Sequence, residues 1–101
     1  MKEIVEKLSA PALLEQAAEE CSELNHACLK LARKLRGESP TPVTEEKLIS
    51  SLNEEVADVF VTIEALVDLG LISFEDVDSI AYSKKQRWKL RLVESEYIKN
   101  Y

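Results

Sequence analysis

The sequence predicts an all-α protein: an antiparallel helical hairpin plus a C-terminal helix, completed as a helical bundle by homo-oligomerisation. Three observations lead there. Apolar residues recur at the 3.6-residue spacing of a buried helix face, and no stretch alternates as a strand would. The residues that break helices, Gly37, Pro40, Pro42 and Gly70, fall between the periodic stretches. Finally, 101 residues make one small domain, 1–101. A chain of that length buries roughly 60–65% of its surface alone, so three amphipathic helices leave apolar surface for a second copy to cover.

Residues 1–8 read as a short, weaker helical segment. Ser9 before Ala10-Pro11 starts the first long helix, because proline is tolerated in the first turn. That helix runs to Arg36, and Gly37 sits where a left-handed cap belongs. Its apolar set is Leu13, Leu14, Ala17, Cys21, Leu24, Cys28, Leu31 and Leu35. Glu38 to Val43 is a loop, since two prolines in three residues cannot continue a helix. Thr44 caps a second helix ending at Gly70, with Leu48, Ile49, Leu52, Val56, Val59, Phe60, Ile63, Leu66 and Val67 as its stripe. The short connection makes the two helices an antiparallel hairpin. Ser73, with Asp76 three residues on, resembles a capping box and opens a helix that continues to the C-terminus.

Composition narrows the function. The net charge is −6, which argues against a nucleic-acid polymer as partner, because neutralising phosphates needs a basic surface. No apolar run approaches the ~20 residues of a membrane span, and no signal peptide opens the chain, so the expected location is cytoplasmic. Cys21 and Cys28 share a helix with their Cα atoms about 10 Å apart, beyond the ~7 Å limit of a disulfide. Both are expected in the core.

Acidic residues carry the chemistry. Glu19-Glu20-Cys21-Ser22-Glu23 lies on the first hairpin helix and Glu54-Glu55-Val56-Ala57-Asp58 on the second. Glu20/Glu23 and Glu55/Asp58 are i, i+3 pairs, each on one helix face. Glu23 lies about 20 Å of helix before Arg36, and Glu55 about 17 Å after Thr44, so the pairs are nearly level across the hairpin. At about 100° per residue, Glu20 and Glu55 sit roughly 70° from their stripe centres, and Glu23 and Asp58 roughly 130°, in the same sense. Equal offsets put all four carboxylates at one edge of the core, with Glu19 and Glu54 outside it. Converging like charges repel, and a bound cation resolves that. An all-oxygen donor set suits Mg2+, or Mn2+, rather than zinc.

The EExxE…EExxD pairing on successive helices resembles the MazG-like, all-α nucleoside triphosphate pyrophosphohydrolase superfamily, over about residues 11–90. The resemblance implies an Mg2+-dependent hydrolase that cleaves a nucleoside triphosphate between the α and β phosphates, releasing the monophosphate and pyrophosphate. It implies Glu20, Glu23, Glu55 and Asp58 as metal ligands. Water attacks phosphorus, and Glu20, nearest the seam, is assigned the further role of accepting its proton.

The C-terminal helix adds cations. Phe74, Val77, Ala81, Trp88 and Leu92 mark an apolar stripe that contains Lys84, with Arg87 one turn on. Lys84 either snorkels or points at an anionic ligand; Trp88 is read as a core or interface anchor. Members of the superfamily carry an Asn-x-Lys-x-x-Arg stretch, matched by Tyr82 to Arg87 with Tyr82 in place of the asparagine. Lys30, Arg33, Lys34 and Arg36 complement the dipole at the end of the first hairpin helix, and Lys30 and Lys34 share the carboxylate side, where they would contact phosphates. Two other readings remain open. Glu23-Leu24-Asn25-His26 contains the ExxH half-motif of di-iron bundles, and the chain could be a non-catalytic helical interaction module. A homodimer or homotetramer is expected.

Overall fold

The computed structural model describes residues 1–38 and 42–99. Among these, every regular element is a helix: α1 (Lys2–Lys7), α2 (Ala10–Arg36), α3 (Glu45–Asp68) and α4 (Phe74–Lys99). Ser39, Pro40 and Thr41 of the expected loop lie outside the described residues, as do Asn100 and Tyr101 of the expected last helix.

Local chemistry sets the helix ends. Ser9 Oγ accepts the Ala12 N–H at 3.2 Å, and Pro11 occupies the first turn of α2. Thr44 Oγ1 accepts from Lys47 N–H at 3.2 Å, and Ser73 Oγ from Asp76 N–H at 3.2 Å. Each cap satisfies one of the amide donors that a helix start leaves free. Gly37 and Gly70 adopt φ of 70° and 81°, the left-handed region open to glycine. Behind each glycine the chain closes a Schellman pair: Gly37 N–H to Lys34 C=O with Glu38 N–H to Arg33 C=O, and Gly70 N–H to Val67 C=O with Leu71 N–H to Leu66 C=O. The second hairpin helix thus ends at Asp68, two residues before the expected Gly70, because the glycine sits past the helix.

Contacts divide the chain into two compact units, Met1–Leu71 and Ile72–Tyr101. In the first, α2 and α3 pack along their length as the expected hairpin, and α1 rests on α3. The seam on α3 runs through Leu48, Leu52, Glu55, Val59, Thr62 and Leu66, and on α2 through Leu13, Ala17, Glu20, Leu24, Ala27 and Leu31. These steps of three and four residues trace one face of each helix. Burial is deepest toward the end away from the loop, at Leu13, Ala65 and Leu66. A fully buried leucine there contributes about 1.5–3 kcal/mol. Thr62 is buried too, its hydroxyl donating to Val59 C=O at 2.7 Å.

The seam corrects two expectations. Cys21 and Cys28 are exposed free thiols rather than core residues. The packed face passes through Glu20 and Ala27, one residue before each cysteine and so about 100° away around the helix. Leu14 and Leu35 stand exposed on the cysteine face. By the same shift, Glu20 and Glu55 lie in the seam itself rather than beside it.

The second unit is carried by α4. Ala81 is half-buried, but Phe74, Val77, Trp88 and Leu92 of the expected stripe are exposed, Trp88 at 67%. Trp88 is therefore not buried within this unit. Lys84 and Arg87 are exposed as well.

Candidate metal centre

Each helix of the hairpin brings one carboxylate in the seam and one beside it. Glu20 lies seven residues after Leu13, and Glu55 seven after Leu48, so two turns return each to the face of a buried leucine. Both are half-buried, whereas Glu23 and Asp58, three residues further on, are exposed. Each of the four residues offers one carboxylate oxygen, and these atoms all lie within 4.8 Å of one another. Glu19 and Glu54 are exposed and outside this set.

The electrostatics are unfavourable as they stand. Burial lifts the Glu20 pKa above its ordinary value; the Gln16 hydrogen bond opposes this, while the charges of Glu23, Asp58 and Glu19 add to it. That bond runs from Gln16 Nε2 to Glu20 Oε1 at 2.8 Å. The charge of Glu55 is the main cause raising Glu23, followed by desolvation and a hydrogen bond to Glu55 that favours the protonated form. Glu20 Oε2 and Glu55 Oε2 are buried with no hydrogen-bond partner among the described residues. A buried carboxylate oxygen without a donor is costly, and a bound cation would offset that cost. Oxygens on opposite sides of an octahedral ion with metal–oxygen distances of 2.0–2.1 Å stand about 4.2 Å apart, and somewhat further around a larger hard ion. The spread of up to 4.8 Å is near that span, so the donor set fits a hard divalent cation.

His26 is exposed and not a member of the set, so the ExxH pattern does not bring an imidazole to these oxygens. Instead His26 lines a groove of about 660 Å³ between α2 and α3, which reaches from Glu23 and Glu55 toward the loop. Lys30, Arg33 and Lys47 line the same groove. Lys30 was singled out from the sequence; Lys34 is half-buried in the last turn and is not one of the lining residues. Sequence reasoning missed Gln16 as the partner of Glu20, and Arg33 and Lys47 as groove residues. The signal for Lys47 was its place on the Leu48 side of α3, eight residues before Glu55. No helix among the described residues is long and apolar enough to cross a membrane. Comparison with family models, with curated proteins and with solved structures gave no match to this chain.

Proposed function

We propose that the protein is an Mg2+-dependent nucleoside triphosphate pyrophosphohydrolase, with Mn2+ as a substitute ion. The observation that carries this reading is the convergence of Glu20, Glu23, Glu55 and Asp58, with one oxygen from each within 4.8 Å of the others. The resemblance of their EExxE…EExxD pattern to the MazG-like superfamily supplies the reaction class.

Glu20, Glu23, Glu55 and Asp58 would hold the ion. When bound it supplies positive charge that draws phosphate oxygens to an acidic site and offsets charge developing on them. Glu20 is the general base. The Gln16 amide fixes one of its oxygens. Water oxygen forms a bond to the α-phosphorus and its proton passes to Glu20. The bond from the α-phosphorus to the α–β bridging oxygen breaks, and pyrophosphate leaves with the nucleoside monophosphate as the other product. Lys84, Arg87, Lys30 and Lys34 are proposed to bind substrate phosphates.

The active form is a homodimer or homotetramer, in which the exposed apolar residues of the hairpin and α4 are covered by other copies. Phe60, 67% exposed on α3, and Trp88 on α4 support that reading. Pyrophosphate release from a panel of canonical and modified nucleoside triphosphates, with and without Mg2+, tests the activity. Release that needs the ion supports it; no release from any member of the panel would sink it.

A further inference from the structure

We infer that the groove beside the carboxylates is the pocket for the pyrophosphate leaving group, bound by Lys30, Arg33 and Lys47, with the nucleoside on the opposite side of the metal centre. This assignment rests on the proposed reaction and adds direction to it.

Charge bookkeeping along the hairpin is the first argument. The chain carries 19 acidic and 13 basic residues, so unpaired cations gathered in one place are not what its composition would produce by default. At the end of α2, Arg36 Nε pairs with Glu38 Oε1 at 2.7 Å, and Lys34 has a partner of its own. Lys30 and Arg33 have none among the described residues, and neither has Lys47 on the facing helix. All three are exposed and line the groove.

Distance supplies the second. Lys30 is seven residues beyond Glu23, Arg33 ten beyond it, and Lys47 eight before Glu55, which puts their backbones about 10–15 Å from the carboxylates along the hairpin. Lysine and arginine side chains cover several ångströms of that. The remaining gap matches a phosphate chain with one end at the carboxylates and its outer phosphates among the cations. A nucleoside is uncharged and cannot neutralise three cations. Two phosphates with several negative charges gain a charge-assisted hydrogen bond from each, and from arginine a two-pronged one. Since the bond that breaks joins the α and β phosphates, the phosphates running into the groove are β and γ, and the departing anion stays neutralised as it forms.

The test titrates inorganic pyrophosphate, and separately a nucleoside monophosphate, into the full-length protein with Mg2+ by calorimetry. The variants are the Arg33→Met/Lys47→Met pair and Lys2→Met, an exposed lysine of α1, as control. Pyrophosphate affinity should fall at least tenfold in the double variant and stay unchanged in Lys2→Met, with monophosphate binding and the Mg2+-induced thermal shift retained. Equal pyrophosphate affinity in wild type and double variant, or no pyrophosphate binding by wild type, overturns the assignment. A loss confined to the monophosphate overturns it too, because the groove would then hold the nucleoside. Failure of the reaction itself reads differently. Cation-dependent pyrophosphate binding without hydrolysis of any triphosphate leaves the groove standing and removes the pyrophosphohydrolase, whereas hydrolysis with a neutral double variant does the reverse.

Discussion

Glu23 on α2 and Glu55 on α3 face each other across the hairpin, and the charge of Glu55 is the largest cause holding the Glu23 pKa above the ordinary 4.5. Glu20, lifted chiefly by burial, moves the same way. The folded state therefore keeps protons that the unfolded chain has already released in the window above 4.5. Stability from these groups falls as pH rises through that window and returns on acidification. In EDTA, melting temperature should decline as pH rises above 4.5, and Glu23→Gln should flatten the decline. Saturating Mg2+ should remove it, since the ion takes the place of the protons. Identical pH profiles with EDTA and with Mg2+ would contradict the coupling of these carboxylates to a metal.

Metal binding to the folded state alone raises stability by mass action, about 2.7 kcal/mol at a hundred times the dissociation constant, on the order of ten degrees or more in a domain of this size. Glu20→Gln and Asp58→Asn should each abolish most of that shift while keeping the helical circular dichroism. Without metal, Glu20→Gln should be at least as stable as wild type, because it removes a charge from a repulsive group. Equal Mg2+ shifts in wild type and both variants would remove the assigned site.

The helix boundaries and the convergence of the four carboxylates were legible in the sequence for different reasons. Ser9, Thr44, Ser73, Gly37 and Gly70 act through their immediate neighbours, so their effect is written locally. The carboxylates were found because i, i+3 spacing and a short connection fix height along a hairpin. The seam was less legible. On α2 it passes through Glu20 and Ala27, while Cys21 and Cys28 are the more apolar choices one residue later. A count of hydrophobic residues therefore rotates the face toward the thiols, and only the packing of α3 against α2 turns it back. Lys47 escaped notice for a related reason: no local pattern shows that it shares a groove with Arg33 of the facing helix.

Lys84 is exposed on α4, so Lys84→Met should leave folding stability nearly unchanged. If its ammonium meets a substrate phosphate, catalytic efficiency falls about tenfold or more, the scale of one charge-assisted contact of ~1.5–3 kcal/mol. Steady-state kinetics equal to wild type would move that role to Arg87 or the groove cations.

Assembly is tested by light scattering at micromolar concentration, where the mass should be at least twice the 11.4 kDa chain. Phe60→Glu places a charge on an exposed apolar residue of α3 and should shift the protein toward monomer without loss of helix content. A wild-type monomer with full activity would show that one chain completes the site.

The central claim is that four carboxylates on one hairpin direct hydrolysis of a nucleoside triphosphate to the link between its α and β phosphates. Phosphorus NMR of the products, recorded with Mg2+ and with EDTA, tests it most directly. Wild type with Mg2+ should convert the triphosphate to monophosphate and pyrophosphate, with no diphosphate or orthophosphate, and both EDTA and Glu55→Gln should slow this by orders of magnitude. Diphosphate with orthophosphate as the products, or the same turnover in EDTA, would contradict it.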